Sequence, residues 1–371
     1  MALLALVWGG QAVAQTAADA LRSRLAESST HSILYGHQDD PVYGHTWRWE
    51  EGRSDVLEVS GRYPDVMGFD LGHLELGADR NLDGVPFDRM RQEIIRQHGR
   101  GGITTLSWHA TNPLIDGGTA WIKGKTDGTA DEKAQFDHEA QTVASILPGG
   151  ASHQKFIGWL DRVSNFLLSL RDADGRLIPV ILRPWHEHTG SWFWWGECLC
   201  TADEYKALWR TTAERLKARG VTNVIYAYSP GSEYVSQQFT TMEQQAGKYL
   251  ERYPGDDIVD LLGLDTYCMA SDGSQQEAEL KVFQSSLTSL LDVVCHVAAD
   301  HGKLAALTET GYESLPAKRW WTGTLLPALQ GHRLAYVLTW RNAHDNAKHF
   351  YAPFPGQQSA NDFKRFLKRI R

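Results

Sequence analysis

The chain has 371 residues, and an excess of acidic over basic side chains gives it a formal net charge of −8. This balance gives no electrostatic basis for binding nucleic acid or an anionic membrane surface, and it favours an uncharged ligand. The length is long for one ordinary domain but within the range of a single α/β barrel with elaborated loops.

The N-terminus begins with an apolar stretch, residues 1–8, and continues to Ala12-Val13-Ala14. A short apolar stretch before a small-x-small site is typical of a secretory signal peptide. We therefore predict that residues 1–14 are removed and that the mature protein, residues 15–371, is secreted or periplasmic. The basic segment that usually precedes such a stretch is missing, and a frayed amphipathic N-terminus is the alternative. No later stretch is expected to be long and apolar enough to span a bilayer.

Strand-like and helix-like segments alternate along the rest of the chain. The predicted strands are 33–37, 66–71, 102–109, 177–182 with its continuation to Glu187, 223–228, 259–265, 304–309 and 334–340. The predicted helices are 17–27, 87–98, 156–170, 202–219 with a Thr201 cap and a stop at Gly220, 277–300, 316–330 and 361–370. This alternation predicts one (β/α)₈ barrel. A doubly wound sheet is the alternative, but no Gly-x-Gly-x-x-Gly turn follows the first strand.

Two connections are unusually polar or long. The segment 110–154 is too long for an ordinary turn, and 270–276 is a shorter polar connection. Long loops on the catalytic face of a barrel usually shape a binding cleft, so we predict that role for both.

Four cysteines are present: Cys198, Cys200, Cys268 and Cys295. The Cys198-x-Cys200 pair lacks a matching second pair, which gives a structural zinc site little support. Because export would permit a disulfide, a bridge from Cys268 to Cys200 or Cys198 is a hypothesis. Cys295 lies in a helix-like apolar pattern and is predicted to be a buried free thiol.

The stretch that indicates a function most strongly follows the apolar run 177–182. It reads Arg183-Pro184-Trp185-His186-Glu187-His188-Thr189-Gly190-Ser191-Trp192-Phe193-Trp194-Trp195-Gly196. A carboxylate, two histidines and an arginine beside tryptophans make a poor core but a good sugar-binding cleft, because indole faces hold the apolar faces of pyranose rings. The alternative is a strand end capped by a surface aromatic cluster.

Polar side chains recur at the ends of the predicted strands, where barrel enzymes carry their catalytic groups. In chain order these ends present His37, Asp70, His109, Glu187, Tyr228, Asp265 with Tyr267, Glu309 and Trp340. Glu187 and Glu309 each interrupt an apolar run, where a carboxylate is costly unless charged partners or water reach it. Two glutamates across a barrel mouth suit glycoside hydrolysis, with one as acid and one as nucleophile. Either glutamate alone could instead be a structural ion-pair partner.

The aromatic block and Thr308-Glu309-Thr310-Gly311 resemble glycoside hydrolase family 26. That family consists chiefly of β-mannanases, in the clan with catalytic glutamates on barrel strands four and seven. Further stretches resemble family blocks in the expected order: Ser107-Trp108-His109-Ala110-Thr111-Asn112-Pro113, Ile146-Leu147-Pro148-Gly149-Gly150, Asp265-Thr266-Tyr267 and Thr339-Trp340-Arg341-Asn342-Ala343. The resemblance covers nearly the whole mature chain.

The resemblance implies a role for each residue around the two glutamates. Glu187 would be the acid/base and Glu309 the nucleophile. His186 would orient the site, Arg183 would hydrogen-bond near Glu309, and Tyr267 would hydrogen-bond Glu309 itself. The charge on Glu309 is expected to raise the pKa of Glu187 and keep it protonated.

The remaining implied residues bind the substrate. His109 and Trp340 would line the subsite where the bond breaks, and Trp192 would stack nearby. Asp265 would support the nucleophile's side of the site, and Arg341 would reach toward the more distal glycone sugar.

The implied reaction is hydrolysis of β-1,4-mannosidic bonds in mannan, glucomannan, galactomannan or manno-oligosaccharides, without metal or other cofactor, by a monomer. Carboxyl groups about 5–5.5 Å apart would give retention through a covalent glycosyl-enzyme. Mixed-linkage β-glucan and β-1,3-xylan are alternative substrates, because family members also act on these. The attack could be endo, or exo with release of mannobiose if segments 110–154 and 70–83 close the glycone end.

Two readings from other functional classes stay open. His186-Glu187-His188 could be a metal site in a hydrolytic barrel, because side chains at i and i+2 on a strand face one way. The first strand, however, carries Gly36-His37-Gln38 rather than the usual His-x-His. A non-catalytic sugar-binding barrel is the other reading, which the presence of both glutamates disfavours.

Overall fold

Parallel strands close into a barrel in the computed structural model, which describes residues 16–371. The barrel strands are β1 Leu34–Gln38, β2 Val66–Asp70, β3 Ile103–Trp108, β4 Val180–Pro184, β5 Val224–Tyr228, β6 Leu261–Cys268, β7 Leu304–Tyr312 and β8 Tyr336–Thr339. Each pairs in parallel with the next, and β1 closes the ring against β8. The predicted (β/α)₈ barrel is confirmed, whereas the predicted signal peptide lies outside the described residues.

Helices fill the connections between the barrel strands. They are α1 Ala17–Ser28, α2 Asp55–Ser60, α3 Phe87–Gly99, α4 Ala130–Glu139, α5 Thr142–Ile146, α6 His153–Ser169, α7 Ala202–Ala218, α8 Met242–Leu250, α9 Gln276–Asp300, α10 Leu326–Leu329 and α11 Ala360–Arg369. The predicted cap of α7 is present as a capping box, in which Thr201 and Glu204 satisfy each other's backbone N–H. Gly220, just past its end, has a φ of 82°, which suits glycine.

Three local features differ from the predictions. Segment 110–154 is not only loop, because it contains α4 and α5. The predicted helix 316–330 is a π-helical turn, Trp321–Leu325, followed by α10, which has a proline in its first turn. A hairpin of Tyr43–Gly44 with Trp47–Arg48 was not predicted, because strands of two residues carry no periodic signal.

Helix α1 closes the N-terminal end of the barrel. Its Leu21 and Leu25 pack with Val66, Ile103 and Ile181, at the N-terminal halves of the strands, in one buried cluster. An apolar plug at that end leaves the carboxyl ends of the strands as the open face. The polar strand-end residues therefore lie at the opposite mouth, where most of them are buried beneath the loops.

Helix α9 is long and apolar enough to cross a membrane by length and composition alone, with a mean hydropathy of 1.3. The prediction that no stretch would meet those criteria was therefore wrong. The helix buries Leu287, Leu291 and Val294 in the main core cluster, between β6 and β7. A core helix of a globular protein passes the same test on composition.

The predicted disulfide is absent, because all four cysteines are free. The Sγ of Cys200 lies against the carbonyl oxygens of Trp195 and Gly196, at 3.5 and 3.7 Å. Cys268 is buried elsewhere, beside the indole of Trp320. The hypothesis assumed that a shared end of the barrel brings two side chains together, but the two thiols have different neighbours. Cys295 is free, as predicted, but only partly buried.

We expect thiol titration under denaturing, non-reducing conditions to give four free thiols per chain. Under native conditions Cys198 should react first, because it is exposed whereas Cys200 and Cys268 are buried. Burial also raises the pKa of both buried thiols to about 11, which suppresses the reactive thiolate. A count of two thiols instead of four in the denatured chain would support the disulfide after all.

Candidate active site

Glu187 lies on a strained turn immediately after β4. Trp185 has a φ of 55° and Glu187 a φ of 53°, a conformation that non-glycine residues rarely adopt. The turn is held at several backbone atoms: Glu187 donates its N–H to the carbonyl of Ser229 at 2.8 Å, and the Tyr205 hydroxyl donates to the carbonyl of Trp185 at 2.6 Å. The surrounding fold thus fixes the direction of the Glu187 side chain.

Most of the aromatic block supports this turn rather than facing substrate. Trp185, Trp194 and Trp195 are fully buried, and the Trp195 indole donates to the carbonyl of His186 at 2.8 Å. Only Trp192 is exposed, by 40%. The interpretation of the whole block as a cleft surface was therefore too broad, because sequence does not distinguish a buried tryptophan from an exposed one.

Trp192 contacts the predicted acid directly. Its Nε1–H donates to Oε2 of Glu187 at 2.8 Å. The ring also covers Gly190, where an added Cβ would lie 2.1 Å from the indole. The exposed indole is in the predicted neighbourhood, and its observed contact is a hydrogen bond to the carboxyl group.

Glu309 lies within β7 and is held by two donors. Tyr267 donates its hydroxyl to Oε1, and Arg183 donates to Oε2 at 2.5 Å. Arg183 also pairs with Asp265, which stands directly beside Glu309 in the β6–β7 register. Burial disfavours the charge on Arg183, but the two carboxylates outweigh it and raise the pKa of the guanidinium. The two donors together fix the carboxyl group of Glu309 in place.

The two glutamates act on each other electrostatically across the barrel mouth. Burial, followed by the charge of Glu309 and then that of Asp265, raises the pKa of Glu187 to about 8. At neutral pH Glu187 is therefore mainly protonated and can donate a proton, whereas Glu309 is paired with Arg183. This is the division between acid and nucleophile that glycoside hydrolysis requires.

An imidazole pair lies beside the glutamates. The Nε2 atoms of His109 and His186 are 3.2 Å apart. The Trp340 ring lies 6.4 Å from the His109 ring, nearly edge-on. His109 is also stacked on Trp121, with ring centroids 5.1 Å apart and planes 12° apart.

Trp121 was not among the site residues predicted from the sequence. It lies in segment 110–154, where no periodic pattern marks it, and it is 46% exposed. The segment is tied to the aromatic block, because Ile122 donates its N–H to the carbonyl of Trp192 at 2.9 Å. A search for tryptophans in long barrel loops would have found this residue.

Arg341 lies away from the glutamates, in a polar cluster that sequence reasoning did not find. Its Nε is 3.3 Å from Oδ1 of Asp83, and its guanidinium lies 6.0 Å from the Tyr43 ring. The Tyr43 hydroxyl donates to Asp39 at 2.5 Å. The cluster joins the β1 and β2 connections to the segment after β8, so it could bound one end of the cleft.

The alternative metal site finds no support in residues 16–371, where no group of three or more His, Cys, Asp or Glu residues could hold an ion. The reading assumed a strand through residues 186–188. The turn at Glu187 instead sends His188 between Tyr205 and Tyr228, with ring centroids 4.4 and 4.9 Å away. His186 faces His109, so the two histidines do not share a ligand.

Solved structures with the same barrel include mannanases. A GH26 beta-mannanase from Bacteroides ovatus is 47% identical, with a TM-score of 0.83, in a match that covers 95% of this chain and 93% of that one. A modular endo-beta-1,4-mannanase from Cellulomonas fimi is 31% identical, with a TM-score of 0.76, over 95% of this chain and 74% of that one.

A curated relative, mannan endo-1,4-beta-mannosidase from Bifidobacterium adolescentis, is 32% identical over 366 residues, covering 94% of this chain. The chain spans only 33%, 58% and 60% of the length of three curated relatives that it matches. The sequence profile described as glycosyl hydrolase family 26 matches residues 11–307, which include Glu187 and end just before Glu309. This match covers most of the sequence, and the chain therefore belongs to glycosyl hydrolase family 26.

Proposed function

We propose that the chain is a retaining endo-β-1,4-mannanase in which Glu187 is the acid/base and Glu309 the nucleophile. The proposal rests on a partly buried Glu187, whose pKa is raised to about 8, together with a Glu309 held by Arg183 and Tyr267. The substrate is β-1,4-linked mannan, including glucomannan and galactomannan. Support for this substrate comes from the names of the relatives, mannan endo-1,4-beta-mannosidase and GH26 beta-mannanase.

In the first step, Glu309 attacks the anomeric carbon while Glu187 protonates the departing glycosidic oxygen. Arg183 and Tyr267 hold Glu309 so that one oxygen can form the new bond. We propose that the carboxyl groups stand about 5–5.5 Å apart, which leaves no room for an intervening water. A covalent glycosyl-enzyme is then the intermediate.

In the second step, the esterified Glu309 no longer carries its charge. The main electrostatic reason for a raised pKa at Glu187 is then removed, and Glu187 can accept a proton from water. Water attacks the same face that the leaving group vacated, and the sugar is released with retained configuration. Trp192 remains bonded to Glu187 Oε2 and leaves the other oxygen free for proton transfer.

Early products from mannohexaose test both substrate and mode of attack. An endo enzyme should release a spread of oligosaccharide lengths, whereas mannobiose alone would show exo attack from a chain end. Parallel assays on mixed-linkage β-glucan and β-1,3-xylan distinguish the alternative substrates. Binding of mannan without any reducing-end release would instead support a non-catalytic barrel. Because these polymers are extracellular, we further propose that the protein is secreted or periplasmic.

A further inference from the structure

A buried chain of an aspartate and two histidines leads from β2 to the catalytic centre. Asp70 ends β2, and its Oδ2 is 2.7 Å from Nδ1 of His109, whose Nε2 is 3.2 Å from Nε2 of His186. We infer that Asp70 is a positioning residue that keeps His109 protonated and oriented toward the two glutamates. The inference rests on the proposed roles of Glu187 and Glu309, and it assigns Asp70 a part in the reaction although it touches no substrate.

The carboxylate of Asp70 is surrounded by donors. Oδ1 accepts the backbone N–H of Gly72 at 2.7 Å and that of His109 at 3.2 Å, and Oδ2 accepts the Ser107 hydroxyl at 2.6 Å. Asp70 is 0% exposed. Burial opposes its charge, but His109 and the other donors lower the pKa of Asp70 to about 2. An ionised Asp70 has no proton to donate, so Nδ1 of His109 must carry one.

Whether Nε2 of His109 also carries a proton then decides whether the ring is charged. Four carboxyl groups act on the charge of the His109 ring. They are Asp70 from β2, Glu309 from β7, Glu187 from the turn after β4, and Asp83 from the connection after β2. Burial opposes the charge on His109, but these carboxylates, Asp70 foremost, raise its pKa.

The nearby guanidinium groups are paired with carboxylates: Arg183 with Glu309 and Asp265, and Arg341 with Asp83. Trp121, Phe193 and Trp340 pack on the ring and are uncharged. Burial and then Arg183 place the pKa of His186 well below its ordinary value. Asp70 bonds His109, whereas Nδ1 of His186 has no hydrogen-bond partner among the described residues. In this inference His109 therefore carries the charge, and its Nε2–H donates to His186.

The imidazolium matters because it stands beside Glu187. Its positive charge counteracts the effect of Glu309 and limits how far the pKa of Glu187 rises. Replacing Asp70 with Asn keeps an oxygen near Nδ1 but removes the charge that holds the second proton on His109. Glu187 then becomes a weaker acid, and a weaker acid donates its proton less readily.

The test compares Asp70→Asn with the wild type by the pH dependence of kcat/KM on manno-oligosaccharides. We expect the alkaline limb to move up by about one pH unit and kcat to fall severalfold. KM should change little. Damage to the fold alone would lower activity without moving the limb, and an unmoved limb in a folded variant would overturn the inference.

Asp40→Asn is a matched control. Asp40 is also buried, its Oδ2 is 3.2 Å from Nδ1 of His37, and it accepts the Ser54 hydroxyl at 2.8 Å. Asp40 is not among the groups that shift the pKa of Glu187 most strongly. We expect a comparable loss of thermal stability with the wild-type pH profile; an equal shift in both variants would contradict a specific role for Asp70.

Histidine titration by ¹⁵N NMR tests the charge state without any assay and without any variant that must fold. In the wild type His109 should remain mostly protonated at pH 6.5 whereas His186 should be neutral. A neutral His109 at that pH would overturn the inference. Hydrolysis of mannan by the wild type tests the proposed function separately, so either idea can fail alone.

Discussion

Glu309→Ala should abolish hydrolysis of mannan, with kcat lower by about four orders of magnitude or more. The substitution removes the group that forms the glycosyl-enzyme, and no other carboxylate holds the same position in β7. Asp265 stands beside it in the register, but Asp265 is bonded to Arg183 and Thr308 and is not free to attack. Initial rates on mannohexaose would measure the loss.

The variant should stay folded, because Arg183 keeps Asp265 as an ionic partner when Glu309 is removed. The unpartnered guanidinium nitrogen and Tyr267 hydroxyl would lower the free energy of unfolding by about 1–3 kcal/mol. Glu313→Ala is a suitable control, because Glu313 lies just past the same strand, is half exposed and bonds only His349 among the described contacts. Near-normal activity in Glu309→Ala, with activity also retained in the control, would refute the assignment of the nucleophile.

The strand-end carboxylates could be predicted because each breaks an apolar run that is otherwise fit for burial. The eight strands and the cap at Thr201 carry local signals of the same kind. The polar cluster of Tyr43, Asp83 and Arg341 could not be found this way. Arg341 and Tyr43 are 298 positions apart, and neither interrupts a periodic pattern.

The sequence also did not reveal which tryptophans of the aromatic block are buried and which are exposed. Trp192 and Trp194 are two positions apart, yet one is exposed and bonds the carboxyl group of Glu187, and the other donates its indole N–H to the carbonyl of Ala110. The backbone is left-handed at Trp185 and Glu187, and neither tryptophan nor glutamate is a residue type that predicts this conformation. The same turn separates His186 from His188 and removes the metal-site reading.

The second large effect is expected for Glu187→Ala. Loss of the acid should reduce kcat on mannan by about three orders of magnitude, because the sugar leaving group needs protonation. An aryl mannoside with an acidic phenol needs little protonation, so its first step should remain fast and the glycosyl-enzyme should accumulate. Azide can then attack that intermediate without base assistance, and should restore turnover with a β-configured mannosyl azide as product.

The pH dependence of the wild type provides an independent test of the same assignment. The active form needs a protonated Glu187, so kcat/KM should fall as pH rises through about 8, the pKa set by burial and by Glu309. In Glu187→Ala this alkaline limb should disappear for the aryl substrate, because no proton is then required. An α-configured azide would mean that azide had attacked the substrate directly in place of a missing nucleophile, and Glu187 would then be the nucleophile. If the limb persisted, the proton donor would have to be another group. His109 would be the first to consider, because both glutamates act on it electrostatically and raise its pKa. The loss of the alkaline limb and the appearance of the β-configured azide in Glu187→Ala are together a test of one electrostatic arrangement, in which the charge of the nucleophile keeps the acid protonated.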